Sequence, residues 1–170
     1  YVSFLLKDVV VKSSNQFPKI EHVLYDLSFL KANENQFYLS INDVGEFYAE
    51  NGNLVLINPS PNAKRNAIEL HLNGSILGAI LNQRNILALH GSSFSIKNHT
   101  VVLCGASGFG KSSISLTLHL EKKATILTDD ITPIQNGKII PISEKIKVWK
   151  ETLDSLNISS ENLTSIHSTM

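Results

Sequence analysis

The run Gly105-Ala106-Ser107-Gly108-Phe109-Gly110-Lys111-Ser112 fits the pattern G-x-x-x-x-G-K-[ST] at every fixed position. Its glycines let the backbone turn back on itself, so that successive N–H groups point inward toward an anion. The lysine adds a mobile positive charge for β- and γ-phosphates, and the Ser112 hydroxyl suits the shell of a Mg²⁺ ion. The pattern demands a strand before it and a helix after it. Thr100-Val101-Val102-Leu103-Cys104 is a short apolar, β-branched run that predicts a buried strand, with Cys104 as a buried structural thiol. After the loop, Ile114, Leu116, Leu118 and Leu120 predict a modestly amphipathic helix that Glu121-Lys122-Lys123 closes. Phosphate binding by Gly105 through Ser112, with Ser113 beside them, is the working expectation.

The chain has 170 residues, enough to bury a core in one domain or in a core plus a small lobe. Fifteen Lys and Arg balance fifteen Asp and Glu, so no global field draws nucleic acid or an anionic membrane. A single cysteine excludes an internal disulfide. No stretch reads as a bilayer span or a secretory signal, so the expected compartment is the reducing cytoplasm. The Asn-x-Ser/Thr triplets at Asn98, Asn157 and Asn162 accordingly carry no weight.

The N-terminal part, residues 1–85, reads as a β-rich lobe ending in a helix. Strands are expected at Tyr1–Leu6, Val23–Leu27 and Phe37–Ile41. Glu46–Glu50, Asn51-Gly52 and Asn53–Ile57 form a hairpin signal, because Asn-Gly tolerates both positive φ angles of a type I′ turn. Asn58-Pro59-Ser60-Pro61-Asn62 then breaks the chain. Ile68, Leu72, Ile76 and Ile80 recur every four positions, with Leu77 and Leu81 beside them, predicting a helix from Ala63 to about Leu81.

Residues 86–170 carry the chemistry. Ile86–His90 and Ser92–Ile96 read as strands, and Lys97-Asn98-His99 as a tight turn. Ala124–Thr128 is expected to form a strand ending at Asp129-Asp130. Asn136-Gly137 marks a hairpin between Ile131–Ile134 and Lys138–Ile140. Ile146–Trp149 suits a further strand and Glu151–Leu156 a short helix. The alternation predicts an α/β core with a mixed sheet, since tight hairpins require antiparallel pairs.

A strand–helix–strand unit brings its second strand parallel to its first, adjacent or one place removed, so both end on one edge. Ligands bind outside the carboxyl ends of such strands, which puts Asp129 and Asp130 beside the glycine loop. Carboxylates there anchor Mg²⁺ or accept a proton from an attacking hydroxyl. Adjacent strand residues point opposite ways, so only one faces the ligand unless the strand bends. The plain alternative is that the pair merely starts a turn. His90 ends a strand before Gly91, and its residue type alone favours a structural histidine. His22, His71, His99, His119 and His167 show no zinc-ligand spacing, and Ser107 lacks the glycine context of an esterase elbow.

Leu89-His90-Gly91-Ser92-Ser93, Gly105 to Ser113, and Leu127-Thr128-Asp129-Asp130 follow one another in this order. Together they resemble the HPr kinase/phosphorylase-like family, above all its shorter members that act as tailoring kinases on precursor peptides, such as lasso-peptide kinases. Pro141–Trp149 is similar to the same members, and the resemblance covers about Ile86 to Trp149. It implies a P-loop core on a sheet like that of phosphoenolpyruvate carboxykinase, and transfer of phosphate from ATP to a serine of a peptide or small protein. It implies Asp129 as the base, Asp130 with Ser112 at the metal, His90 orienting either, and Lys111 neutralising the transferring group. Ala106 and Ser113 stand where true HPr kinases carry acidic residues, so HPr itself is not the implied acceptor. Members continue beyond this chain's end, which suggests an incomplete C-terminal part, and their oligomeric state does not carry over.

The expectation is thus an ATP- and Mg²⁺-dependent kinase acting on a serine-bearing peptide or small protein, with no nucleic-acid or membrane partner and self-association left open. A nucleotide-binding module without transfer, a small-molecule kinase and an ATPase are the alternatives. The ATPase of transporter type is disfavoured by the lack of an L-S-G-G-Q signature.

Overall fold

The computed structural model describes residues 2–142, 146–161 and 163; the Asn162 triplet and His167 lie outside them. The protein is mixed α/β, mostly strand, with two sheets and few helices. It divides into two compact units between Ile86 and Leu87.

The first unit is built on six strands: β1 (Val10–Ser13), β2 (Tyr25–Leu27), β3 (Leu30–Ala32), β4 (Gln36–Ile41), β5 (Gly45–Glu50) and β6 (Leu54–Pro59). Their order is β1-β6-β5-β4-β3-β2, antiparallel except for the parallel β1–β6 pair. The β5–β6 hairpin turns through Asn51 (φ 51°) and Gly52 (φ 69°), as Asn-Gly predicts. The turn is clamped from the helix end, since Gly52 N–H donates to Gln83 Oε1 and Arg84 Nε donates to Gly52 O.

β5 is buried on both faces. Phe47 lies 6.2 Å ring to ring from His71, and on the other side Phe17 stacks on Tyr48 at 6.1 Å. Burial and that apolar setting hold the His71 imidazole below its ordinary pKa. On the polar rim, Glu46 accepts from Tyr38 and Asn58; these bonds lower its pKa, while burial and the neighbouring carboxylate raise that of Tyr38.

The expected helix exists as α1 (Arg65–His71) and α2 (Leu77–Gln83), joined without a break by a π-helical turn at Leu72–Ile76. A strict four-residue repeat drifts around an α-helix that advances about 100° per residue. The wider i→i+5 turn takes up part of that drift. Ile68, Leu72, Ile76 and Ile80 thereby all stay buried.

Val2–Leu6 is not the expected strand. Its backbone is engaged by helix side chains: Ser3 N–H donates to Glu69 Oε1, Leu5 N–H to Asn73 Oδ1, and Asn73 Nδ2 donates to Ser3 O. Asparagine and glutamate thus take the place of a neighbouring strand, and the edge strand forms at Val10–Ser13 instead.

The second unit centres on β7 (Leu87–Ile96), one ten-residue strand where two were expected. β8 (His99–Cys104) pairs antiparallel with its C-terminal half after the two-residue Lys97-Asn98 turn. α3 (Lys111–Leu120) leads to β9 (Thr125–Thr128), which pairs with β7 on the side away from β8. β8 and β9, both antiparallel to β7, run parallel to each other one place apart. β10 (Ile131–Gln135) continues along β7 and makes an Asn136-Gly137 hairpin with β11 (Lys138–Ile139). α4 (Lys150–Ser155) follows, and Ile146–Trp149 is irregular rather than a strand.

Two expectations fail here for one reason. β8 ends the described sheet, so its residues are half-buried or exposed, and Cys104 is an exposed thiol. On α3 the covered residues are Ser115 and Leu116, while Ile114 and Leu120 stay about half exposed.

Candidate functional site

The glycine loop follows β8 and closes on α3, whose first residue is Lys111. Gly108 (φ 84°) and Gly110 (φ 80°) adopt the left-handed conformation. Gly110 is the N-cap of α3, and its left-handed φ favours a residue without a Cβ. Lys111 Nζ folds back to donate to Gly105 O at 2.9 Å and to Ala106 O at 3.0 Å. Phe109 is exposed on the loop.

The parallel relation of β8 and β9 brings the aspartates to this loop. Ser112 Oγ donates to Asp129 Oδ1 at 2.7 Å, joining the loop to a residue seventeen positions further on. The other oxygen, Oδ2, accepts the backbone N–H of Lys147 at 2.7 Å. Asp130 Oδ2 accepts from Lys147 Nζ at 2.8 Å, and Asp130 Oδ1 lies 3.6 Å from His90 Nδ1. Both carboxylates therefore converge on Lys147, against the alternation of a straight strand. Asp130 supplies the bend, with φ at 71°, a conformation that Asp tolerates better than most residues.

Of the expected site residues, Ser112, Asp129, Asp130 and His90 come together, and Lys111 lies on the same loop. Ser113 turns away, its hydroxyl 3.0 Å from that of Thr152 on α4. The loop residues Gly105, Ala106, Ser107 and Gly108 are exposed. A cavity of about 530 Å³ is lined by Lys97, His119 and Lys123 at the far end of α3. Among the described residues no three His, Cys, Asp or Glu side chains gather as a metal cluster. The same residues include no helix long and apolar enough to cross a membrane.

Two features escaped the sequence reading. The first is Lys147, which lies in the irregular segment Ile146–Trp149. The second is a fully buried hydroxyl chain beneath the aspartates. Thr132 Oγ1 donates to Gly91 O at 3.0 Å, which spends its only proton. Thr128 must then donate to Thr132 (2.7 Å), and Ser93 to Thr128 (2.7 Å). The order Ser93→Thr128→Thr132→Gly91 O is thus fixed, and it ties the residues flanking Asp129-Asp130 to the one after His90. Alongside, Ser92 Oγ donates to Ser115 Oγ at 2.8 Å and links β7 to α3. Serine and threonine in these strands carried no signal, because their pairing depends on neighbours far apart in sequence.

Comparison with protein-family models, with curated proteins and with solved structures returned no match.

Proposed function

We propose that the chain is an ATP- and Mg²⁺-dependent kinase that transfers the γ-phosphate to a serine hydroxyl of a peptide or small protein. The observation that carries the reading is the Ser112–Asp129 hydrogen bond of 2.7 Å. It joins a loop of phosphate-binding pattern to a carboxylate, and the resulting pair of hard oxygen donors suits Mg²⁺. The peptide acceptor rests on the resemblance of the three motifs to the HPr kinase/phosphorylase-like family, as does a P-loop core of that family's type.

Bound Mg²⁺ supplies neutralisation of the charge on the β- and γ-phosphate oxygens. The chain supplies the rest. Backbone N–H groups of the glycine loop hold the phosphates, and Lys111 exchanges its two carbonyl partners for phosphate oxygens. Asp129, with Ser112 on one oxygen and a backbone amide on the other, is held rigidly and suits the metal side. Asp130 is held by the mobile Lys147 side chain, with His90 at 3.6 Å, so it can exchange that contact for the acceptor hydroxyl. This exchanges the two roles that the resemblance implies. In the transfer, the serine oxygen bonds to the γ-phosphorus while the bond from phosphorus to the β,γ-bridging oxygen breaks. ADP leaves with the electron pair, and the hydroxyl proton passes to Asp130.

The test compares Asp129→Asn and Asp130→Asn by ATP calorimetry with and without Mg²⁺ and by radiolabel transfer to serine peptides. Asp129→Asn is expected to lose most of the Mg²⁺-dependent gain in ATP affinity. Asp130→Asn is expected to keep that gain and lose transfer by about a hundredfold or more. No ATP uptake by the wild-type protein would refute nucleotide binding. Uptake without any phosphoproduct across peptides and metabolites would leave a binding module.

A further inference from the structure

Among the described residues, Lys147 alone touches both aspartates, and no part of the phosphate-binding pattern calls for it. Its ammonium donates to Asp130 Oδ2 at 2.8 Å and its backbone N–H to Asp129 Oδ2 at 2.7 Å. Building on the nucleotide reading above, we propose that Lys147 is the resident counter-cation of Asp130, beside the Ser112–Asp129 pair that suits a metal. A divalent metal entering at Ser112 and Asp129 meets this charge, so the site disfavours bare metal and admits metal carried on a triphosphate.

Carboxylates on adjacent residues repel each other unless a cation offsets their charge. Lys111 is committed to Gly105 O and Ala106 O, and His90 Nδ1 stays 3.6 Å from Asp130, beyond hydrogen-bonding distance. Among the described residues the Lys147 ammonium is left as the direct neutralising group, on Asp130. One positive charge against two negative ones still attracts a divalent ion, but the ammonium held on Asp130 opposes that ion's approach to Asp129 and Ser112. The contact at Asp129 differs, because an amide carries no net charge and persists whatever side chain stands at 147. A metal arriving with a triphosphate changes the balance. It brings oxygen ligands of its own, together with anionic oxygens to which the released ammonium can turn.

The pair is partly open, with both side chains about one-third exposed, so the competition is moderate rather than absolute. Mn²⁺ alone is the probe, titrated by electron paramagnetic resonance into wild type, Lys147→Met and Lys147→Arg. The methionine variant keeps the amide contact and lacks the competing charge. It is expected to bind Mn²⁺ about three- to tenfold more tightly than wild type, with Lys147→Arg close to wild type. Equal or weaker binding by a folded Lys147→Met protein would overturn the proposal.

A second measurement needs no variant. Acylation of Lys147 in the wild-type protein, followed by peptide mass spectrometry, is expected to speed up severalfold at saturating Mn²⁺. An unchanged rate would overturn the competition. Neither measurement involves ATP. Failure of wild type to bind ATP therefore refutes the nucleotide reading alone, and unaltered Mn²⁺ behaviour refutes the Lys147 inference alone.

Discussion

Thr128 sits in the middle of the buried hydroxyl chain, so replacing it with valine removes a link while keeping the shape of the side chain. The cost follows from the proton order. Ser93 has given its proton to Thr128, and in the variant that buried donor has no acceptor, which costs about 1–3 kcal/mol. Thr132 keeps its bond to Gly91 O and loses only a donor into one lone pair, worth about 0.5–1 kcal/mol. The total for Thr128→Val is therefore about 1.5–4 kcal/mol. Ser93→Ala removes the end of the chain and strands no proton, so it should cost about 1 kcal/mol. The double variant also lacks the stranded donor, so it should cost less than the sum of the two single changes by about 1–3 kcal/mol. Urea unfolding followed by the fluorescence of Trp149, which lies in the same unit, gives all four stabilities of the cycle. Additivity within about 0.5 kcal/mol, or a larger loss for Ser93→Ala than for Thr128→Val, would refute the proton order.

Gly91→Ala is expected to destabilise the same unit by about 1–3 kcal/mol, because an added Cβ would stand 2.7 Å from the backbone oxygen of Leu103. An unchanged urea midpoint would show that β7 and β8 do not need this close approach. His71 gives a pH dependence in the first unit. Its pKa is lowered in the fold, so the unfolded chain binds more protons as pH falls below the ordinary value of 6.5. The stability tied to its neutral form is complete above pH 6.5 and declines as pH falls toward the depressed folded value. His71→Gln should flatten that slope in urea unfolding followed by far-ultraviolet circular dichroism at pH 5 to 7, and an identical slope would refute it.

What the sequence made legible follows from the range of the forces involved. The two Asn-Gly turns were readable because φ preference is a property of the residues themselves. The helical repeat at Ile68, Leu72, Ile76 and Ile80 was readable because burial on one face imposes a period. The proximity of Asp129 to Ser112 followed from how strand–helix–strand units connect, before any distance was known. Three-residue β3 is too short to print a pattern, and Val2–Leu6 looks like a strand until Glu69 and Asn73 take its hydrogen bonds. Cys104 and its strand looked buried because apolar content shows a preference for cover, whereas a place at the end of the sheet removes that cover.

The turn at the aspartates shows how one backbone angle decides what alternation could not. Thr128 pairs with Ser93 and Ile131 with His90, so a step of three residues on one side matches three on the other. After the register shift within β9 between Ser93 and Phe94, the path from Thr128 into β10 keeps one register along β7, and Asp129-Asp130 is a kink in a single path rather than a change of partner. In a straight strand Thr128 and Thr132 would stand about 13 Å apart, four steps of roughly 3.3 Å. Their hydroxyls are 2.7 Å apart. The left-handed Asp130 and the close Ile131 N–H to Asp129 O bond of 2.9 Å take up the difference. The kink that turns both carboxylates toward Lys147 is thus the one that closes the hydroxyl chain beneath them. Loosening the buried chain should loosen the aspartates, so Thr128→Val is expected to weaken the hold on Lys147 as well as the fold. Faster acylation of Lys147 in that variant, measured without metal under conditions where it stays folded, would register the loss, and a wild-type rate would separate the two.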